Sequence, residues 1–202
     1  MKTYRINEIF YSLQGEGAFS GSAAIFVRFS GCNLKCPFCD TDFKAYKEMS
    51  AQEIVNSVKS LSKNCEHVVL TGGEPTLQVD RQLTEAFHSE GFFIAMETNG
   101  TREIPSGIDW VTCSPKNLFV PAAEPIINSC DEIKVVFNGE HTIFPYSHIK
   151  AKFHYLQPCD TGDKAKNADI LHGCIEFIKE NPIWRLSLQT QKILNVRYTC
   201  KI

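Results

Sequence analysis

The sequence lacks several features that would assign it to a broad class at once. No apolar run approaches the eighteen or so residues that span a membrane, and the opening MKTYRINEIF lacks the apolar core of a signal peptide. Neither sign of charge is in excess, since 21 Lys and Arg stand against 23 Asp and Glu. We therefore expect a cytoplasmic protein that binds no membrane and no nucleic acid and whose ligand is small.

Apolar, β-branched runs predict strands that are covered on both faces, as in a parallel sheet. The runs span 23–29, 67–71, 92–97, 109–113, 132–137, 152–157 and 184–188. Only three helices are predicted between them, too few for a closed eight-fold barrel. We expect one α/β domain over residues 1–202, built as a small, partial (open) βα barrel with few helices.

The three helices are predicted from capping signals and from periodicity. Ser50 and Glu53 have the spacing of a capping box for the first helix, and the others cover about 79–89 and 168–180. The inward faces are predicted to be Ile54, Val58 and Leu61; Leu83, Ala86 and Phe87; and Leu171, Ile175 and Ile178. The aperiodic stretch 114–131 is long enough to suggest a functional loop.

Three of the nine cysteines, Cys32, Cys36 and Cys39, lie close together just after the first predicted strand. In a reducing compartment such a group more often binds a metal or a cluster than forms disulfides. Three thiolates can hold a 4Fe-4S cluster and leave one iron open. A zinc site completed by Asp40, Asp42 or His67, and simple unliganded cysteines, are the alternatives.

Four further predicted strands end in polar residues. The segments are VVLTGGEPT at 68–76, METNGT at 96–101, CSPKN at 113–117 and LQPCD at 156–160. Paired glycines allow a backbone to approach a ligand closely, and Glu74 offers a carboxylate to a cation. Because the carboxyl ends of parallel strands meet at one edge, these segments are expected to form one rim of a barrel.

The C-x3-C-x2-C spacing, with Phe38 before its last cysteine and with GGEP at 72–75, resembles the radical S-adenosylmethionine superfamily. The resemblance implies that superfamily's barrel type, a 4Fe-4S cluster on Cys32, Cys36 and Cys39, and S-adenosylmethionine on the open iron. The residues that it implies around S-adenosylmethionine are Phe38, Asp40, Gly73, Glu74, Glu97, Asn99, Ser114, Pro115, Lys116, Gln157, Pro158 and Asp160.

With SLQGEG at 12–17 added to these motifs, the chain resembles the QueE family of 7-carboxy-7-deazaguanine synthases from about Arg5 to Lys192. That family's lyases, in queuosine and deazapurine biosynthesis, contract the ring of 6-carboxy-5,6,7,8-tetrahydropterin with loss of ammonia and require magnesium. The resemblance implies magnesium at Thr41 and a substrate site of Leu13, Gln14, Gly15, Glu16, Arg28 and Thr71.

These residue types suit that chemistry. Glu16 can accept the N–H donors of a pterin, Arg28 suits its carboxylate, and the Thr41 hydroxyl suits a hard cation. Because the cofactor carries the reaction, no side chain is expected as a catalytic acid or base.

The C-terminus departs from the family pattern. The segment LSLQTQKILNVRYTCKI has Gln191 where histidine is usual and continues beyond Arg197, so the role of this end is open. A glycyl-radical-enzyme activase and, less expected, a zinc-stabilised binding module without activity remain alternatives. The expected partners are the pterin, an electron donor such as flavodoxin, and a second copy in a homodimer.

Overall fold

A computed structural model of the chain describes residues 2–42, 44–140, 146 and 148–196, and its main element is a mixed sheet. Its nine strands are β1 (Tyr4–Leu13), β2 (Ala23–Phe29), β3 (Lys47–Met49), β4 (His67–Gly72), β5 (Phe93–Thr98), β6 (Trp110–Cys113), β7 (Ser129–Phe137), β8 (Lys150–Pro158) and β9 (Trp184–Leu186).

The strand order is β3-β1-β2-β4-β5-β6-β7-β8-β9. Strand β1 runs antiparallel to β2 and β3, and each pairing from β2 to β9 is parallel. The sheet is open, because its order ends at β3 on one side and at β9 on the other. The predicted open α/β architecture with a largely parallel sheet is therefore confirmed.

Three helices, α1 (Ala51–Leu61), α2 (Arg81–His88) and α3 (Lys164–Glu180), cover the outer face of the sheet. The short α4 (Thr190–Ile193) lies instead beside the cavities described below. One apolar core joins α1 and α2 to β1, β2, β4 and β5, and a second joins α3 to β7 and β8. Of the helices within the described residues, none combines the length and the apolar character needed to cross a membrane.

The inner face of the sheet changes from apolar to polar along each strand. A small apolar cluster contains Phe26, Val69 and Ala95, with the rings of Phe10 and Phe26 stacked at 4.9 Å. Side chains two residues apart on a strand lie on the same face. The next inward positions are therefore Arg28, Thr71 and Glu97, so polar groups meet where the parallel strands end.

Aromatic side chains fill the opposite end of the inner face. Phe19, from a turn of 3₁₀-helix at Gly17–Phe19, makes edge contacts with His67 and Trp110 at 4.8 Å each and with Phe93 at 5.9 Å. This packing anchors the loop that follows β1, and that loop carries the SLQGEG motif.

The predicted strands agree with the structure except at the amino terminus. The observed β2 has the predicted bounds, and β4 to β9 differ from theirs by a few residues. Strands β1 and β3 were not predicted. In β1 the buried Tyr4 and Ile6 alternate with the polar residues Arg5 and Asn7, so the strand contains no continuous apolar run. The stretch 114–131 is shorter as a loop than predicted, because β7 begins at Ser129.

The predicted helices are present, but two inward faces need correction. The Ser50 capping box is confirmed, and Leu83 and Phe87 are fully buried as predicted. Leu61, however, ends α1 with 40% of its surface exposed, and Ile175 is 39% exposed. Helix α3 begins at Lys164, and Ile178 packs in the second core as predicted. Ile170, Cys174 and Phe177 are the further inward residues of this helix, which packs against β8 and β9.

Asp80 offers a test of how α2 is attached to β1. Its Oδ1 accepts hydrogen bonds from the Leu83 amide at 3.1 Å, as an N-cap, and from the buried Tyr4 hydroxyl at 2.7 Å. Asp80→Ala removes the cap and leaves the Tyr4 hydroxyl without its acceptor, so the free energy of unfolding should fall by about 1–3 kcal/mol. Asp80→Asn retains a side-chain oxygen and should lose less. Urea denaturation measures both, and equal losses would contradict the assignment.

Candidate active site

Two adjoining cavities are lined by the carboxyl ends of the parallel strands. One, here called the Arg28 cavity, has a volume of about 780 Å³, and the other, the cysteine cavity, about 640 Å³. Seven residues line both and form what we call the common wall: Glu16, Asp40, Thr71, Gly72, Glu97, Gln189 and Lys192. Ligands in the two cavities would therefore lie next to each other.

The loop after β2 brings Cys32, Cys36 and Cys39 to the cysteine cavity as free thiols. A turn folds this loop, with the Cys39 amide donating to the Cys36 carbonyl at 3.2 Å. The end of β5 supports it, because Asn99 Nδ2 donates to Asn33 Oδ1 at 3.0 Å. The loop and the strand end thus form one structural unit.

Burial and the charge of a nearby lysine have opposite effects on the pKa of the cysteine thiols. Burial raises the pKa of Cys32 and of Cys36, while the charge of Lys116 opposes the rise at Cys36. Lys116 lines the same cavity, and burial lowers its pKa. Because cluster binding requires thiolates, a positive charge at Lys116 favours it.

The donor set fits an iron–sulfur cluster better than a zinc ion. Three thiols on one loop are the usual ligands of a cluster with an open iron. Within the described residues, no three His, Cys, Asp or Glu side chains converge to hold a single metal ion. His67 begins β4 and packs against Phe19, at the opposite end of the strands from the cysteine loop, so it cannot complete a zinc site there.

The glycines of the GGEP motif bring β4 against the cysteine loop. A Cβ on Gly73 would lie 2.0 Å from the Gly31 carbonyl oxygen, and the Glu74 amide donates to that same oxygen at 2.9 Å. Gly72 has a φ of +128°, a conformation that favours glycine. A side chain at either position would force the two loops apart.

Glu74 lies in the cysteine cavity lining, but its carboxylate is bonded to the protein. It is 1% exposed and accepts hydrogen bonds from the Thr98 hydroxyl at 2.7 Å and from the Asn99 amide at 2.8 Å, on different oxygens. That this carboxylate also faces a cation stays a prediction. In the structure Glu74 links the ends of β4 and β5. The backbone of Gly72 and Gly73 also lines the cavity, and no side chain of these residues covers it.

Of the other residues predicted around the cofactor, all except Pro115 line the cysteine cavity. They are Phe38, Asp40, Gly73, Glu97, Asn99, Ser114, Lys116, Gln157, Pro158 and Asp160. Pro115 is buried and does not contribute to the lining. Phe38 makes an edge contact with Phe119 at 4.6 Å, which attaches the loop after β6 to the cysteine loop.

All residues predicted for the substrate and magnesium line the Arg28 cavity: Leu13, Gln14, Gly15, Glu16, Arg28, Thr41 and Thr71. Arg28 Nε donates to Glu8 Oε1 at 2.6 Å, and Nη1 donates to Thr41 Oγ1 at 3.5 Å. Glu8 was not predicted because β1 was not. Its carboxylate compensates the charge of Arg28 within the cavity.

A buried lysine links two carboxylates of the common wall. Lys134 Nζ lies 2.6 Å from Glu16 Oε2 and 2.9 Å from Glu97 Oε2. Burial alone would raise the pKa of Glu16, but the charge of Lys134 together with the hydrogen bonds from Lys134, Gln189 and Gln191 outweighs it and lowers that pKa to about 2. Glu16 is therefore an ionised hydrogen-bond acceptor at every ordinary pH.

The C-terminal helix α4 covers this wall. Gln189 and Gln191 donate to Glu16 Oε1 at 3.0 and 3.1 Å, and Thr190 Oγ1 donates to the Gly15 carbonyl at 2.7 Å. Lys192 Nζ lies 2.8 Å from Asp40 and 3.2 Å from Asp160. The role of Gln191, which the sequence left open, is therefore defined in part, because this residue lines the Arg28 cavity and contacts Glu16. The stretch from Arg197 onward lies outside the described residues.

Comparisons with known proteins agree with this geometry. The model of the Radical SAM superfamily matches residues 26–116. The 7-carboxy-7-deazaguanine synthases of Bacteroides thetaiotaomicron and Haemophilus influenzae are 45% and 39% identical, covering 96% of this chain and 98% and 94% of those proteins. The chain belongs to the 7-carboxy-7-deazaguanine synthase family.

A solved member of this structural group extends the comparison to the fold. The crystal structure of QueE from Escherichia coli superposes with a TM-score of 0.73 at 28% identity, over 92% of this chain and 93% of that one. The predicted family, its radical S-adenosylmethionine class and its partial barrel are confirmed. The 7-carboxy-7-deazaguanine synthase family, rather than an activase or a zinc module, accounts for the chain along nearly its whole length.

Gly73→Ala tests the close approach of the two loops. Its Cβ would meet backbone at Gly31, which cannot move without displacing the cysteine loop. Iron and sulfide bound after anaerobic reconstitution should therefore fall at least severalfold. Gly173→Ala is the control, because this helix glycine has only the edge of the Phe137 ring near it. Full loading of Gly73→Ala would show that the approach is not needed.

Proposed function

We propose that this chain converts 6-carboxy-5,6,7,8-tetrahydropterin to 7-carboxy-7-deazaguanine, with loss of ammonia, using a 4Fe-4S cluster, S-adenosylmethionine and magnesium. One observation carries the proposal: the residues expected to bind the pterin line one cavity, and that cavity shares a wall with the one lined by the three cysteines. The relatives are named for this product. The step belongs to queuosine and deazapurine biosynthesis.

Cys32, Cys36 and Cys39 would hold the cluster, and the surrounding strand ends would hold S-adenosylmethionine. When bound, these groups supply radical chemistry at a carbon that ordinary acids and bases cannot activate. The protein contributes position and enclosure. Gly73, Asn99, Ser114 and Lys116 line the space beside the thiols.

The Arg28 cavity suits the two ends of a carboxypterin. The amino-pyrimidinone edge presents N–H donors, and Glu16 is an ionised acceptor in the cavity lining. The carboxylate end suits Arg28 and Thr41, which line the same cavity.

Charge balance supports a role for magnesium. Glu8 already compensates Arg28, and Lys192 is shared between Asp40 and Asp160. A substrate carboxylate would therefore bring uncompensated negative charge into this part of the cavity. Magnesium bound by the Thr41 hydroxyl, the substrate and water would supply the missing cation and orient the carboxylate.

The proposal extends to partners and location. Cys39 is exposed, so a cluster on this loop would lie within reach of an external electron donor such as flavodoxin. A reducing cytoplasm would keep its thiols available. We also propose a homodimer, for which exposed apolar side chains such as Ile126 and Ile183 are available.

The direct test is anaerobic reconstitution with iron and sulfide, followed by incubation with the carboxypterin, S-adenosylmethionine, magnesium and a reductant. Mass spectrometry should detect 7-carboxy-7-deazaguanine. Cys36→Ala should abolish both the iron–sulfur absorbance and the product, because one of the three cluster ligands is lost. Cys174→Ala removes a buried thiol of the α3 core and should keep both. Full turnover by Cys36→Ala would refute the proposal.

Thr41→Ala tests the magnesium position separately. Loss of the hydroxyl ligand should raise the magnesium concentration needed for half-maximal turnover by roughly tenfold, about the effect of one lost ligand contact. Thr3→Ala, at an exposed position that lines neither cavity, should leave the requirement unchanged. An unaltered magnesium requirement in Thr41→Ala would remove this residue from the metal site.

A further inference from the structure

Lys134 is a buried lysine for which neither the motifs nor the proposed reaction provides a role. It lies on β7, is 4% exposed and contacts Glu16 from the loop after β1 and Glu97 from the end of β5. Both carboxylates line both cavities, whereas Lys134 itself lines only the cysteine cavity. One ammonium group therefore contacts two of the three acidic residues of the common wall, the third being Asp40.

Several charged groups surround this lysine. Glu16, Glu97 and Glu132 act on it from three elements, and Lys116 is the second cation of the group. Burial would lower the pKa of Lys134, but Glu16 and Glu97 outweigh that effect and raise it. Burial, with the nearby charge of Glu97, raises the pKa of Glu132. Lys134 is therefore charged, and its charge is shared by carboxylates that would otherwise repel one another.

The contacts orient the two carboxylates as well as neutralising them. Lys134 Nζ donates to Oε2 of each carboxylate, and side-chain amides donate to Oε1. Gln14 Nε2 donates to Glu97 Oε1 at 3.2 Å, and Gln189 and Gln191 donate to Glu16 Oε1. Both oxygens of each carboxylate are therefore held in a fixed orientation at the wall that the two cavities share.

We propose that Lys134 is a positioning residue that keeps Glu16 and Glu97 oriented toward the ligands of the two cavities. The inference rests on the proposed function, because it names a further residue on which recognition of the pterin depends. It acts through Glu16 and Glu97 and does not itself touch the reacting atoms.

The test compares pterin binding at several pH values, using reconstituted enzyme loaded with S-adenosylmethionine and kept without reductant. Lys134→Met should weaken pterin binding roughly tenfold or more at pH 7, since it leaves charged acceptors unpaired. Loss of the cation raises the pKa of Glu16, so the deficit relative to wild type should grow as the pH falls. Lys134→Arg should recover part of the affinity. Lys152→Met removes an exposed ion pair on β8 and should bind as wild type does.

A second variant serves as a control for misfolding of Lys134→Met, in which two carboxylates of the common wall lose their cation. Glu16→Gln combined with Lys134→Met removes one carboxylate together with the lysine, and it should regain thermal stability without regaining pterin affinity. The proposal is overturned if Lys134→Met binds the pterin normally, if its deficit is the same at every pH, or if the double variant recovers affinity.

A measurement without ligands separates this proposal from the proposed function. In the full-length chain labelled with ¹³C at glutamate carboxyls, the Glu16 resonance is identified by its loss in Glu16→Gln. It should titrate well below the ordinary glutamate range and move to higher pH in Lys134→Met. Titration that is the same in both proteins overturns the role of Lys134. If Glu16 behaves as expected but wild-type enzyme binds no pterin, the proposed function fails instead.

Discussion

The structure depends on the neutralisation of buried charge in the wall between two ligand cavities. Such a wall must carry polar groups on both sides, yet burying charges is costly unless they are paired. Lys134 pairs with Glu16 and Glu97 in this wall, and Arg28 pairs with Glu8 in the adjoining cavity. Lys192 pairs with Asp40 and Asp160, which are more exposed. Each pairing joins segments that are distant in sequence, so the charges that prepare the site also hold its loops together.

The alternation of side chains along parallel strands explains why the charges collect at one end. On β2, β4 and β5 the inward residues are apolar first and polar two positions later, as in Phe26 and Arg28 or Ala95 and Glu97. The apolar layer supports the floor of the cavities, and the aromatic group around Phe19 fills the end beyond it. The same loop that carries Phe19 carries Glu16, so packing at one end positions an acceptor at the other.

Much of this could be predicted from the sequence, for reasons that also explain the failures. Motifs such as the cysteine loop and GGEP are local, and their residues line the expected cavities. Groups that meet only through tertiary pairing were missed. Glu8 lies on a strand whose alternating pattern was not recognised, and Lys134 looks like a stray charge in the apolar run EIKVVF. In that run, positions 132, 134 and 136 share a face, which is the signal that could have revealed an inward lysine.

Glu74 illustrates a second limit on what a sequence predicts about a site. Its type and position predict a carboxylate that faces a cation, but the donors Thr98 and Asn99, which also contact it in the cavity lining, meet it only through tertiary pairing. The faces of Leu61 and Ile175 were wrong because helical periodicity does not say which neighbouring element a helix meets. A sequence identifies the residues that carry the chemistry more readily than the residues that hold them in place.

The central claim is that substrate and cofactor lie side by side, with only the common wall between their cavities. Turnover of the carboxypterin deuterated at C6 by the reconstituted enzyme tests it most directly. In the proposed reaction, hydrogen would pass from C6 of the pterin to the 5′ carbon of the cofactor, which would then be regenerated. Deuterium should therefore appear at the 5′ carbon of the recovered S-adenosylmethionine if the two ligands are neighbours. Formation of product with all deuterium lost to solvent and none in the cofactor would contradict this arrangement.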